Sequence, residues 1–154
     1  MRLTLELRIP PVVVVAFAAL VMWLVARALP PSPLGAGTRL VLAAMLVLVG
    51  AALAIAGIRE FRVARTTVNP LQPGQVASMV TSGVYRYSRN PMYLGMLCLL
   101  AAWGAWLGRA APFVVLPVFV LYMNRFQIGP EERTLEERFG RRFVDYAGRV
   151  RRWI

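Results

Sequence analysis

Four long apolar blocks decide what this chain can become. They run from about Val12 to Leu29, Leu40 to Ile58, Pro91 to Leu107 and Ala110 to Phe126. Crossing a hydrocarbon core of ~30 Å takes ~17–25 helical residues, and in lipid every backbone polar group must bond within its own segment. Blocks of this length therefore read as spanning helices. Hydrophobic residues make up 58% of the 154, above the roughly 45–50% of soluble domains, and the surplus lies in the blocks. The expected fold is an all-α integral membrane protein, one domain over residues 1–154, with about four transmembrane helices and a C-terminal interfacial amphipathic helix. The first block is followed by Arg27 and Pro30-Pro31, not by a small-residue cleavage site, so it reads as a span rather than a signal peptide.

Charge sets the orientation. All 18 basic residues are arginine, against seven acids, for a net charge of +11. The arginines fall between and after the apolar blocks, where topology and anionic headgroups account for them, and no nucleic-acid partner is expected. Fifteen of them lie before the first block, in the middle loop or after the last block; only Arg27, Arg39 and Arg109 lie on the other side. The positive-inside rule then puts both termini and the loop over 59–90 in the cytoplasm, as in a prokaryotic inner membrane protein. All seven acids share that side.

The residues that are missing narrow the chemistry. With no histidine, His-ligated zinc or haem and every histidine general base are excluded, and no metal is expected. Cys98, the single cysteine, lies inside an apolar block and cannot form an intrachain disulfide. Chemistry in this chain must use Arg, Glu, Tyr, Asn and backbone groups, or a cofactor with its own reactive centre.

The second block carries Gly50, Ala54 and Gly57 at i, i+4 and i+7, a small-residue stripe suited to close helix packing. Blocks three and four are joined only by Gly108 and Arg109 as a tight hairpin, and Pro117 is expected to kink the fourth helix and free the Phe113 carbonyl. In the loop, turn-rich Asn69 to Gly74 precedes Val76, Met79, Val80, Val84, Tyr85 and Tyr87, which read as an ordered stretch against the membrane face. The segment over 130–154 reads as amphipathic: Leu135, Phe139, Phe143, Tyr146 or Ala147, and Val150 recur at helical spacing. Arg133–Glu137, Glu137–Arg141 and Asp145–Arg149 stand as i,i+4 pairs, with Gly140 and Gly148 as possible breaks.

Three stretches invite a chemical reading. Ser82 to Gly95 puts Asn90 and Pro91 at the start of the third helix, with Arg89 beside them. This is either a cap with interface anchors, or a helix N-terminus aimed at an anionic group where membrane meets water. Asn124 to Glu132 is either a helix end, a turn and a new helix with acids in its first turn, or a glutamate pair able to hold an ammonium or ribose hydroxyls. Phe139 to Tyr146, followed by Arg151-Arg152-Trp153, is by itself a charged amphipathic tail.

Taken in order, these stretches resemble one family. Val80-Thr81-Ser82-Gly83-Val84-Tyr85, then Arg89-x-Pro91-x-Tyr93-x-Gly95, an apolar hairpin, Glu131-Glu132-x-x-Leu135, Phe139-Gly140-x-x-Phe143-x-x-Tyr146 and Arg152-Trp153 are similar to the isoprenylcysteine carboxyl methyltransferase and phospholipid methyltransferase group. The resemblance covers about Thr66 to Trp153. It implies S-adenosylmethionine bound at the cytoplasmic face, with cofactor contacts at Ala77, Ser78, Met79, Val80, Tyr85, Asn90, Pro91, Met92, Tyr93, Glu131 and Glu132. It implies catalytic roles for Arg89, Arg125 and Glu131. Two positions depart from the family pattern: Asn90 stands where the family has histidine, and Gln127 where it has a substrate-side arginine, with Arg125 two residues earlier.

Methyl transfer suits the composition, because it needs neither metal nor histidine. The implied function is S-adenosylmethionine-dependent methylation, at the cytoplasmic face, of a lipophilic acceptor arriving from the bilayer: an isoprenylcysteine-like carboxylate, a lipid amine or a thiol. The alternative is a catalytically silent interaction or assembly module of the same fold, and a third reading is a nicotinamide-dependent membrane reductase. Gly35-Ala36-Gly37 is no nucleotide loop, having no preceding strand.

Overall fold

The computed structural model describes residues 6–28, 30, 35–64 and 78–154. Every regular element among them is helical: α1 Pro11–Ala28, α2 Ala36–Val63, a 3-10 turn Gly83–Arg86, α3 Pro91–Leu107, a second 3-10 turn Ala111–Val114, α4 Val115–Met123, a π-helical turn Asn124–Ile128, α5 Gly129–Phe139 and α6 Arg141–Arg149. Three helical rods are long and apolar enough to cross a membrane: Pro11–Ala28, Ala36–Val63 and the run Ala111–Phe139; α3 is apolar but has 17 residues. Large apolar side chains such as Phe17, Leu48, Ile55 and Leu121 are about two-thirds exposed, the pattern of a surface that meets lipid. The fold is an all-α integral membrane protein.

Sequence features set the helix ends. Pro91 occupies the first turn of α3, where its missing N–H leaves no bond unmade, and Gly108 ends the helix with φ +66°. Hydropathy marks only 40–58 of the second rod, yet α2 runs from Ala36 to Val63, because Arg59, Glu60 and Arg62 stop a membrane span without stopping a helix.

The small-residue stripe of α2 lies against α3. A Cβ built on Gly50 would come within 2.8 Å of the Gly95 carbonyl oxygen, and one on Gly95 within 2.7 Å of that of Gly50. On the other side of α3, the Trp103 indole donates to the Ala19 carbonyl of α1 at 3.0 Å. Met22, Tyr93, Leu100, Phe119, Met123 and Ile128 form the central core, with Trp153 packed on it.

The expected turn between the fourth block and the charged segment is absent. The chain stays helical from α4 into α5 through the π-helical turn. Pro130 lacks an N–H, and its ring crowds the carbonyl four residues back, that of Phe126. The turn resolves this by one residue of slack: the Gly129 N–H bonds Asn124 O, and Phe126 O is free to accept the Leu7 N–H at 3.1 Å. Gln127 is fully buried, and its amide donates to the Ile9 carbonyl at 2.6 Å. Residues 6–10 are thus strapped across the π-helical turn.

α5 and α6 meet at Gly140, with φ +52°. Gly148 remains inside α6 and does not break it. Two of the expected i,i+4 partners look elsewhere: Arg133 pairs with Glu6 at 2.6 Å, and Arg149 donates to the Asp145 backbone carbonyl.

Candidate functional site

The start of α3, the 3-10 turn before it and the first turns of α5 converge under the last residues of the chain. Four contacts make that cover. Arg89 N–H bonds the Arg151 carbonyl at 3.0 Å, the Asn90 side-chain amide donates to the Arg152 carbonyl at 2.9 Å, Tyr146 Oη donates to the Tyr85 carbonyl at 2.7 Å, and the Trp153 indole donates to Asn124 Oδ1 at 3.0 Å. Phe143 and Tyr146, the apolar stripe of α6, are buried. The amphipathic tail is therefore a lid as well as a surface helix. Asn90 holds the N-cap position of α3, but its side chain makes no capping bond; it is spent on the tail.

Beneath the lid are four polar groups, Arg89, Tyr93, Glu131 and Glu132, and Arg152 of the tail closes on them. Tyr93 Oη donates to Glu131 Oε1 at 2.5 Å. The Glu132 carboxylate holds Arg89 at 3.2 Å and Arg152 through both Nε and Nη2. Arg89 and Glu132 keep less than a fifth of their side-chain surface exposed, so this pair is only weakly screened by water. Burial pushes the Tyr146 hydroxyl up to about 12, offset in part by Arg89. Burial likewise pushes the Tyr85 hydroxyl upward, and both phenols remain protonated donors at neutral pH.

Among the described residues, two polar atoms beside this network find no partner: Tyr85 Oη and Arg89 Nε are buried and make no hydrogen bond. Unsatisfied buried polar atoms are rare enough to ask for a ligand. Gly57 of α2 packs directly against this corner: a Cβ there would lie 2.8 Å from Met92 Cγ and 3.4 Å from Tyr85 Oη. The arrangement can hold a ligand carrying both charges and hydroxyls, cationic parts toward the glutamates and anionic parts toward Arg89.

The other residues singled out from the sequence are placed as follows. Val80 and Pro91 are buried, and Ser78 Oγ bonds the Ala64 carbonyl at the end of α2. Met79 is half-buried; Ala77, Asn69 to Gly74 and Val76 lie outside the described residues. Arg125 is drawn away from the glutamate pair by Glu6, which it meets at 2.7 Å. The Arg125 hydrogen bond holds the Glu6 carboxyl below its ordinary range. This contact is intact at neutral pH and is lost only as the solution is acidified through that lowered value. Sequence reasoning missed Glu6, Tyr146 and Arg152 as site-forming residues. For Arg152 and Tyr146 the signal was present in the C-terminal motif; for Glu6 there was none.

Residues 38–142 match the family described as phospholipid methyltransferase, about two-thirds of the chain. The chain belongs to that family. The match takes in the start of α3, the glutamate pair and the first two residues of α6; the residues that cover the site, Tyr146 and Arg151 to Trp153, lie beyond it. A protein of Haemophilus influenzae (strain ATCC 51907 / DSM 11121 / KW20 / Rd), described only as uncharacterized, is 43% identical over 63 residues, covering 41% of this chain and all of its own length. No solved structure matches the chain. Membership of the phospholipid methyltransferase family, with the apolar helices, makes this a membrane methyltransferase.

Proposed function

We propose that the protein transfers a methyl group from S-adenosylmethionine to a lipophilic acceptor at the cytoplasmic face of a prokaryotic inner membrane. The observation that carries this reading is the lidded cluster of Arg89, Tyr93, Glu131 and Glu132, with Tyr85 Oη and Arg89 Nε still in need of partners. The cofactor contacts are assigned to residues 77–80, Tyr85, residues 90–93, Glu131 and Glu132. When bound, the cofactor supplies an electrophilic methyl on a neutral leaving group, chemistry that calls for no histidine.

The protein's own work is alignment and the exclusion of water. Glu131, fixed by Tyr93, takes the cationic or hydroxyl part of the cofactor; Arg89, fixed by Glu132, faces anionic groups. The tail from Arg151 to Trp153 closes the site from the water side. The acceptor, gaining roughly 0.8 kcal/mol per CH₂ kept in lipid, approaches laterally, with its head near Arg125 or Arg89.

Purified protein is expected to show a higher melting temperature with S-adenosylhomocysteine, as with any ligand selective for the folded state. It is also expected to transfer tritiated methyl to a membrane lipid extract. Acceptors sharing a head group should turn over faster as the tail lengthens. Absence of both the shift and the transfer would leave a silent module of the same fold; equal turnover of short, soluble acceptors would remove the lateral route alone.

Orientation is tested separately. Single cysteines placed after Arg39 and after Arg109, in a Cys98→Ala background, should react with an impermeant reagent added outside. Labelling of either only after the membrane is opened would overturn the assignment drawn from the fifteen-to-three arginine split.

A further inference from the structure

The last turn of α2 holds an acid where a helix disfavours one. Glu60 lies three residues before Val63, which ends the helix, and there the partial negative charge of the dipole opposes a carboxylate. The side chain is turned onto the 3-10 turn that precedes α3. Glu60 Oε2 accepts from Ser82 Oγ at 2.5 Å. Its other oxygen covers Gly83, where an added Cβ would collide with Oε1 and lie 2.9 Å from Cγ. Gly83 also has φ +55°, so backbone and contact independently ask for glycine there.

From Ser82 this anchor passes along a run of local bonds. The Tyr85 N–H bonds Ser82 O at 3.0 Å and the Ser88 N–H bonds Val84 O at 3.3 Å. The Asn90 N–H then bonds Ser88 Oγ at 3.1 Å. The segment so fixed carries Tyr85 and Arg89, the two residues of the cluster with unpartnered buried atoms. Tyr85 is held on three sides. Phe61, the next residue of α2, meets its ring edge-on with centroids 5.5 Å apart. Tyr146 of the lid holds its carbonyl, and the turn tied down by Glu60 holds its N–H. Its hydroxyl is left uncommitted among the described residues.

We propose that Glu60 is a positioning residue of the ligand site: it ties the 82–86 turn to α2 and so aims the Tyr85 hydroxyl, without touching the ligand itself. This rests on the reading that the lidded cluster binds S-adenosylmethionine. Two measurements on the full chain in detergent keep the two apart. Hydrogen exchange of the ligand-free protein reads the anchor. Glu60→Ala should speed exchange at the Tyr85 and Ser88 amides by on the order of tenfold, relative to the interior of α3. Glu60→Gln, whose amide oxygen still accepts from Ser82, should restore wild-type protection. Unchanged protection in Glu60→Ala would overturn the proposal, whatever the protein binds.

Titration calorimetry with S-adenosylhomocysteine reads the consequence. The Kd should rise about tenfold in Glu60→Ala, the effect of losing one hydrogen bond to a charged group. Ser82→Ala should match it, and the double variant should be no weaker than either single one, since both remove the same bond. Glu60→Gln should bind as wild type does. If it were as weak as Glu60→Ala, the carboxylate would act on the ligand by charge, and the positioning role would fall. In a Tyr85→Phe background Glu60→Ala should cost almost nothing, because no hydroxyl remains to be aimed. A repeat of the tenfold loss there would make Glu60 a general support of the fold and overturn the proposal. Wild-type protein that fails to bind S-adenosylhomocysteine, while Glu60→Ala still loses protection, would overturn the cofactor reading and support the tie between Glu60 and Tyr85.

Discussion

Glu131→Ala is expected to abolish the S-adenosylhomocysteine thermal shift and to lower methyl transfer by on the order of 100-fold. A hydrogen bond to a charged group is worth ~1.5–3 kcal/mol, and 1.4 kcal/mol is about tenfold in affinity. Glu131 is placed to exact that cost: its carboxylate is anchored by Tyr93 Oη at 2.5 Å and lies beside the glutamate that secures Arg89 and Arg152. Tyr93→Phe should be milder, about tenfold, because it removes the anchor and leaves the charge. Glu137→Ala, two turns along α5 on its exposed face, should leave the shift unchanged. Each shift is measured against the same variant without ligand, so a general loss of stability cancels. Equal shifts for Glu131→Ala and wild type would reduce Glu131 to a helix starter favoured by the dipole of α5.

How far the sequence reaches depends on whether a signal is local. Helix α3 covers the block over 91–107 because Pro91 and Gly108 act on their own neighbours. α2 overshoots its apolar block at both ends, since hydropathy reports lipid contact and not backbone bonding. The turn expected at Gly129-Pro130 failed for a non-local reason. The carbonyl that Pro130 displaces finds its donor in Leu7, 119 residues away, and once it is satisfied the helix has no cause to end. The same distance hid Glu6 as the partner of Arg125. The glutamate pair and the start of α3 were legible through the ordered motifs. That the Asn90 side chain would bond the Arg152 carbonyl and not cap its helix was not, because the competing acceptor is 62 residues downstream.

The second large effect concerns the contact on which the site rests. Gly50→Val or Gly95→Val is expected to destabilise the protein by roughly 3 kcal/mol, the upper range for overpacking. The atom each new Cβ would meet is a backbone carbonyl, at 2.8 and 2.7 Å, not the flexible end of a side chain, so relief requires α2 and α3 to move apart. Gly148→Ala, in α6 with nothing within 4 Å of the added carbon, should instead stabilise by roughly 0.5–1 kcal/mol, the usual gain of alanine over glycine in a helix. Unfolding in detergent, followed by circular dichroism, measures both. The consequence extends to the site, because Gly57 continues the same face of α2 and lies against Met92 and Tyr85. Separating the helices at Gly50 therefore tilts the start of α3 away from the unpartnered Tyr85 hydroxyl. The ligand shift should shrink in Gly50→Val even at temperatures where the variant remains folded. A Gly50→Val protein as stable as wild type, with a full ligand shift, would mean that the two helices do not approach this closely and that the site does not depend on their contact.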